Sequence, residues 1–287
     1  MARVRFAGSN RFTFRELLFM LFMTALAVFF LLPVVYMIVT AFKPMEELFL
    51  FPPRFWVYRP TLKNFSNLLV ATSQGSVPFV RYLFNSIFVT SVVVTGSVIL
   101  GSMCAYPLAK HNVPGGGLIF ALILSGLMFS SEVTQIPRYL MVTRLGWMDT
   151  YWALIVPGIA SPLGLFLMKQ FLEQVPTAIL EQARVDGANE WQIFWKIVMP
   201  MAKAAWSTQL IFAIFSVWND TWAPLVFTRS EAMKTLPLAI QTLGGSGIAR
   251  VGAMAAATFI LSMPPLIVFL FLQKRVLETM AHSGIKG

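Results

Sequence analysis

Few residues in this chain of 287 have the types and spacing for bond-making chemistry. Its two histidines, His111 and His282, stand far apart, and its one cysteine, Cys104, lies inside an apolar run. No Cys/His, Ser/His/Asp or metal-ligand constellation is evident, which argues against an intramembrane enzyme. A lone cysteine cannot close an intrachain disulfide, so Cys104 reads as a small hydrophobe. Gly115-Gly116-Gly117 lacks the lysine and the spacing of a phosphate-cradling loop. The charges that stand out are Glu132 and Asp220, each inside a long apolar stretch. Such groups normally face protein or water, because lipid exposure is costly. Asp220 has Trp218, Asn219 and Trp222 beside it. These five residues are candidates for a functional site, and for Asp220 a structural pairing with a neighbouring helix is the favoured alternative.

The elements that must hold these groups follow from composition. Fifty-seven per cent of residues are hydrophobic and 12% are charged, with a mean hydropathy of +0.72. Soluble domains are about a quarter charged, so the outer surface of this chain must face lipid. The net charge of +10 is spread between apolar runs rather than gathered in one patch. That distribution suits anionic headgroups and argues against nucleic acid as a partner.

A bilayer core takes about 20 apolar helical residues to cross. Six stretches qualify: Leu17–Phe42, Tyr82–Ala109, about Leu118–Ile136, Tyr151–Met168, about Ala204–Phe227 and Val251–Leu272. The first follows Arg3, Arg5, Arg11 and Arg15, and its uncharged run far exceeds the apolar core of a cleaved signal. It reads as a retained span. Six spans put both termini on one side. Lys and Arg number twelve on that side against ten opposite, and the dense N-terminal cluster favours the cytoplasm. Ser97, Gly101 and Ala105 recur every fourth residue, as do Gly252 and Ala256, a spacing that lets helix backbones approach closely. Outside the spans, residues 43–81 are rich in Pro and aromatics and predict a small folded cap. Residues 229–250 carry Gly244, Gly245, Ser246 and Gly247, and predict a mobile loop tip.

The most informative polar segment is Pro176–Pro200. It predicts two short helices, the first capped by Thr177 and ended by Gly187 in a left-handed conformation. Asn189 caps the second, with Gln192 reaching back three residues later. Pro200 ends that helix or bends it into the next span. Ile193, Phe194, Ile197 and Val198 form an apolar stripe, while Glu181, Arg184, Glu190 and Lys196 stay polar. Glu181 and Arg184 are three apart and placed to pair with each other or with a partner. Periodicity leaves two destinations for the stripe, a membrane surface or another polypeptide.

Glu181, Ala183, Gly187, Ile197 and Pro200 stand at the spacing of the E-A-A-x3-G-x9-I-x-L-P signature of binding-protein-dependent ABC importers. Gln182 and Met199 depart from it but roughly keep size and helix propensity. Asp186-Gly187-Ala188 resembles the carbohydrate-uptake branch. Asn85-Ser86, Ala105–Lys110, Thr150–Pro157, Trp218-Asn219-Asp220, Thr235–Leu238 and Lys286-Gly287 extend the resemblance over most of the chain. Together they resemble the smaller, six-span permease of the maltose and oligosaccharide type.

The resemblance implies an all-α membrane protein with six transmembrane helices in the type I ABC importer permease fold. Residues 1–16 and 275–287 would be cytoplasmic segments flanking a permease domain over 17–274, in a bacterial cell membrane. Glu181, Ala183, Arg184, Asp186, Gly187, Ala188, Ile197 and Pro200 would form the loop that docks on a cytoplasmic ATPase. The implied partners are a second homologous permease, two copies of that ATPase and an extracellular solute-binding protein. ATP and Mg would be held by the ATPases, with no cofactor on this chain. Trp218, Asn219, Asp220 and Trp222, with Glu132, would lie on a sugar path or gate, and Gly244–Gly247 would reach the binding protein. Ile285, Lys286 and Gly287 would extend towards the ATPase. A stand-alone secondary transporter is the competing reading, but it leaves the hairpin unexplained.

Overall fold

The computed structural model describes residues 14–73, 77–243 and 251–283. Among them every regular element is helical. The first is α1 (Phe14–Ala41), then α2 (Met45–Leu48) and α3 (Lys63–Ser73). The long α4 (Phe79–Lys110) precedes α5 (Gly116–Met128), α6 (Ser131–Arg144), α7 (Tyr151–Ile159) and α8 (Pro162–Glu173). The hairpin holds α9 (Thr177–Val185), α10 (Glu190–Ile193), a π-helical turn over Phe194–Val198 and α11 (Met199–Met201). There follow α12 (Lys203–Trp218), α13 (Trp222–Phe227), α14 (Leu236–Leu243) and α15 (Val251–Ser283).

Helices α1, α4 and α15 are span-length, and α7 with α8 runs as a 23-residue fourth. The remaining two expected spans are not straight rods. In the third, α5 and α6 together are long and apolar enough to cross but meet at 108° across Phe129-Ser130, with Glu132 in the first turn of α6. The fifth ends early, because α12 stops at Trp218 and Asp220 sits in the break before α13. The fourth reaches Glu173 and breaks at Ala160-Ser161, where the chain must leave the α region before Pro162. Ser161 Oγ then accepts the Gly164 N–H at 3.1 Å and caps α8.

The bundle is built around α4, which packs on α7, α8 and α12, while α12 also packs on α15. Small residues set these crossings. A Cβ on Gly164 would stand 2.3 Å from Gln209 Nε2, and one on Gly101 3.2 Å from the same atom. Gln209 fills that space and donates to Ser97 O at 3.0 Å, joining α12 to α4. The predicted cap over residues 43–81 is folded where described. Glu47 accepts the Tyr58 and Arg59 N–H groups at 3.1 and 3.0 Å, and buried Lys43 donates to Arg54 O. The segment after α13 is more ordered than a plain loop. Asn85 Nδ2 donates to Ala232 O and Lys234 O, both at 2.8 Å, and Ser86 Oγ accepts the Leu236 N–H at 2.8 Å. Asp149 accepts the N–H groups of Arg229 and Ser230, which hold its carboxyl below the usual range.

Asn64 ties the cap to both ends of the bundle. Its amide donates to Ala41 O at 2.9 Å and Lys43 O at 2.7 Å, and a Cβ on Gly252 of α15 would stand 2.2 Å from its Oδ1. Gly252→Ala must displace Asn64 and strand those carbonyls, a loss of about 1–3 kcal/mol for a buried group left unbonded. The variant is expected to melt at lower temperature than the wild type in detergent, with Gly117→Ala, which meets nothing within 4 Å, as the unaffected control.

Candidate functional site

The hairpin is built by two reciprocal caps. Gly187 has φ +85°, its N–H donates to Arg184 O at 3.0 Å, and the Ala188 N–H donates to Ala183 O at 3.0 Å. That pair of bonds is a Schellman closure, and the left-handed residue it needs is Gly187. Asn189 and Gln192 form the expected capping box, with bonds of 2.9 and 3.0 Å. Thr177 is not a cap: Pro176 occupies the cap position and Thr177 is the first helical residue. Of the two outcomes expected at Pro200, the structure has the bend rather than the end: the turn before it widens to π geometry, α11 runs through it, and the 77° bend into α12 follows at Ala202.

The apolar stripe does not wait for a partner. Ile193, Phe194 and Val198 are buried, with Ile197 half-buried, against Ala105 and Tyr106 of α4 and Met168 and Leu172 of α8. Leu180 and Ala183 of α9 join the same core. Val185, Trp191 and Trp195 remain exposed, as do Glu181, Arg184, Asp186, Gly187 and Pro200, while Ala188 is half-buried. Arg184 pairs with Glu190 rather than with Glu181, Nε to Oε1 at 2.7 Å.

Glu190, read from the sequence only as a polar position, is the hub. Its Oε2 also accepts from the Tyr106 hydroxyl at 3.0 Å and lies 3.5 Å from His111 Nε2. One carboxylate thus fastens α10 to both α9 and the end of α4. No spacing rule finds this, since Tyr106 and Glu190 are 84 residues apart. The Arg184 guanidinium, aided by the Tyr106 hydroxyl, holds the Glu190 carboxyl below the ordinary range, against some burial.

At the far end of α12 the second group of candidates divides. Trp218 is buried and its indole N–H donates to Leu261 O at 2.8 Å, so it ties α12 to α15. Asn219 is exposed and donates to Phe215 O at 2.8 Å. Asp220 Oδ1 accepts the Trp222 and Ala223 N–H groups at 2.9 and 3.1 Å and starts α13. Its bonds are thus to its own next helix rather than to a neighbouring one. Trp222 is thereby fixed, edge-on to Phe227 at 5.3 Å, with the Arg138 guanidinium 5.8 Å from its ring. Glu132, Arg138, Asp220 and Trp222 share the wall of an open-sided cavity of about 670 Å³, whose other end reaches Ser161 and Gln209. Gly244, Gly245, Ser246 and Gly247 lie outside the described residues, as do Ile285, Lys286 and Gly287.

The chain resembles known proteins along most of its length. A family model described as "Binding-protein-dependent transport system inner membrane component" matches residues 97–281. A probable ABC transporter permease protein of Sinorhizobium fredii is 34% identical over 96% of this chain and 97% of its own length. An arabinooligosaccharides transport system permease protein of Bacillus subtilis is 28% identical over 97% and 99%. A chain in the crystal structure of a bacterial ABC transporter involved in alginate import superposes with a TM-score of 0.78 at 21% identity. That match covers 93% of this chain and 99% of the other, and it speaks for the fold.

Because Glu190's pKa is lowered, its contribution to hairpin order is fully present above the ordinary glutamate value of about 4.3. It is lost as pH falls through Glu190's own, lower value. Hydrogen exchange in residues 177–198, corrected for intrinsic rates, is expected to rise on acidification. Glu190→Gln should raise it already at neutral pH and remove that pH dependence.

Proposed function

This chain belongs to the family of binding-protein-dependent transport system inner membrane components, and from that premise we propose how it works. It is a multi-pass permease subunit of an ABC importer, and a stand-alone secondary transporter is set aside. Its cargo is a saccharide released by an extracellular solute-binding protein, a reading supported by the oligosaccharide permease among its relatives. It forms half of the path with a second homologous permease. Two copies of a cytoplasmic ABC ATPase hold the ATP and Mg and supply the energy, consistent with the lack of a P-loop sequence here. Both termini are cytoplasmic, and residues 17–274 form the permease domain between short tails. Glu132, Asp220 and Trp222 line the path.

The observation that carries this reading is the hairpin's attachment. Its stripe is buried on α4 and α8, and Glu190 clamps its two halves. It therefore moves with the bundle as one body. Its exposed rim, Val185, Gly187, Trp191 and Trp195, is left for the ATPase. A partner that pulls on the rim shifts α4, α8 and α12 together, and these helices wall the cavity. A hairpin lying loosely on headgroups would transmit nothing.

Gly187→Pro tests the lever. Proline holds φ near −65° and has no N–H, whereas this position needs φ +85° and gives its N–H to Arg184 O. The variant is expected to assemble with its partners but to lose uptake and substrate-stimulated ATP hydrolysis, while Gly187→Asn, which tolerates the left-handed region, keeps both. Coupled uptake by the proline variant would refute the lever.

A further inference from the structure

The cap that follows α1 carries an exposed apolar surface that neither the lever nor the cavity uses. We propose that residues 49–59 are a membrane-interface anchor, seated among the headgroups of anionic phospholipid, which holds this end of α1 at a fixed depth. Neither the cargo nor the side of the membrane on which the cap lies bears on this role.

The polar groups of the cap are turned inward. Glu47 accepts the Tyr58 and Arg59 N–H groups, and buried Lys43 donates to Arg54 O with its ammonium 4.9 Å from the Tyr36 ring of α1. Phe55 packs on the same Tyr36 at 5.7 Å. Exposure then alternates along the segment: Phe55 and Val57 are half-buried, while Arg54, Trp56 and Tyr58 are exposed. That is the period of an extended chain with one face in and one face out. The Arg54 guanidinium stands 5.0 Å from the Tyr58 ring, so these two share the outer face. Just before them Phe49 and Leu50 are exposed, and Phe51, held beside Pro52 and Pro53, is 95% exposed. Apolar groups this close together on a surface mark a contact rather than a solvated face.

Position names lipid as the occupant. The cap is rooted where the span-length α1 ends at Ala41, and the exposed apolar side of that helix runs on into the cap through Tyr36. Charge agrees. Between residues 45 and 63 the exposed charges are Glu46, Arg54, Arg59 and Lys63, three cations against one acid. Arg54 and Arg59 form no ion pair among the described residues. Guanidinium groups bond phosphate oxygens two at a time, Trp and Tyr rings collect at headgroup level, and basic groups are drawn to anionic lipid. A permanent contact with another subunit would bury charge where interface cores keep it low. A binding protein that comes and goes would leave these rings bare to water between visits.

Depth is measured on the complete complex, with Cys104→Ser and cysteine-free partner subunits, in vesicles of phosphatidylethanolamine and phosphatidylglycerol. A nitroxide is attached at Phe51→Cys or at Trp56→Cys, both exposed positions. Its collisions with apolar oxygen are compared with its collisions with a water-soluble nickel chelate. The oxygen-to-nickel ratio at both sites is expected to exceed that of a free aqueous nitroxide several-fold, whether or not binding protein is present. Arg54→Glu with Arg59→Glu, or phosphatidylcholine in place of phosphatidylglycerol, should bring the ratio at Phe51→Cys back towards the aqueous value. No change in either overturns the preference for anionic lipid. An aqueous ratio in the parent overturns the anchor. Shielding from both reagents overturns it too and marks a protein contact, with the second permease if constant and with the binding protein if it appears only on addition. Uptake by the same vesicles is scored separately, so loss of the anchor leaves the importer standing.

Discussion

Burial of Ile193, Phe194 and Val198 against the ends of α4 and α8 is the contact on which the rest of the molecule depends. Were those side chains free, the short helices of the hairpin would be too brief to hold their shape. Packed as they are, they become part of the bundle, and the caps at Gly187 and Asn189 then fix a surface rather than a fluctuating peptide. Glu190 adds direction, because its bonds to Arg184 and Tyr106 set the angle between the two short helices and α4.

The two ends of the molecule are joined by α12. It starts at the bend after the hairpin and ends at the break that holds Asp220, a rise of about 24 Å for its sixteen residues. Midway along it, Gln209 fits against Gly101 and Gly164 with no room to spare. Tight contact of that kind resists continuous deformation, so helices joined this way move as blocks. A permease that works by rocking its halves needs such blocks.

Much of this was legible in the residues. The caps at Gly187 and Asn189 follow from local rules, because each depends on groups within a few positions. Apolar length placed α1 and α4 to within three residues at each end and found the start of α15, which runs on past Leu272 to Ser283. The breaks at Phe129-Ser130 and at Asn219–Thr221 were missed because hydropathy averages over a window and is blind to a bend between two apolar pieces. Ser161-Pro162 carried a readable signal, a capping residue before a proline, inside an otherwise apolar run. The stripe's destination, the Arg184–Glu190 pair and the role of Trp218 as a tie to α15 were not legible, since each rests on contacts between distant parts of the chain. The cavity likewise collects residues from four separate stretches of the chain, and no single stretch announces it.

Asn64 has a consequence for how the protein is made. It joins the end of α1 to the cap, and it fits only under Gly252 at the start of α15. About 190 residues separate these partners along the chain. During synthesis the earlier helices must therefore wait in the membrane with this joint unmade, closing the bundle only when the last long helix arrives. That joint is fastened late.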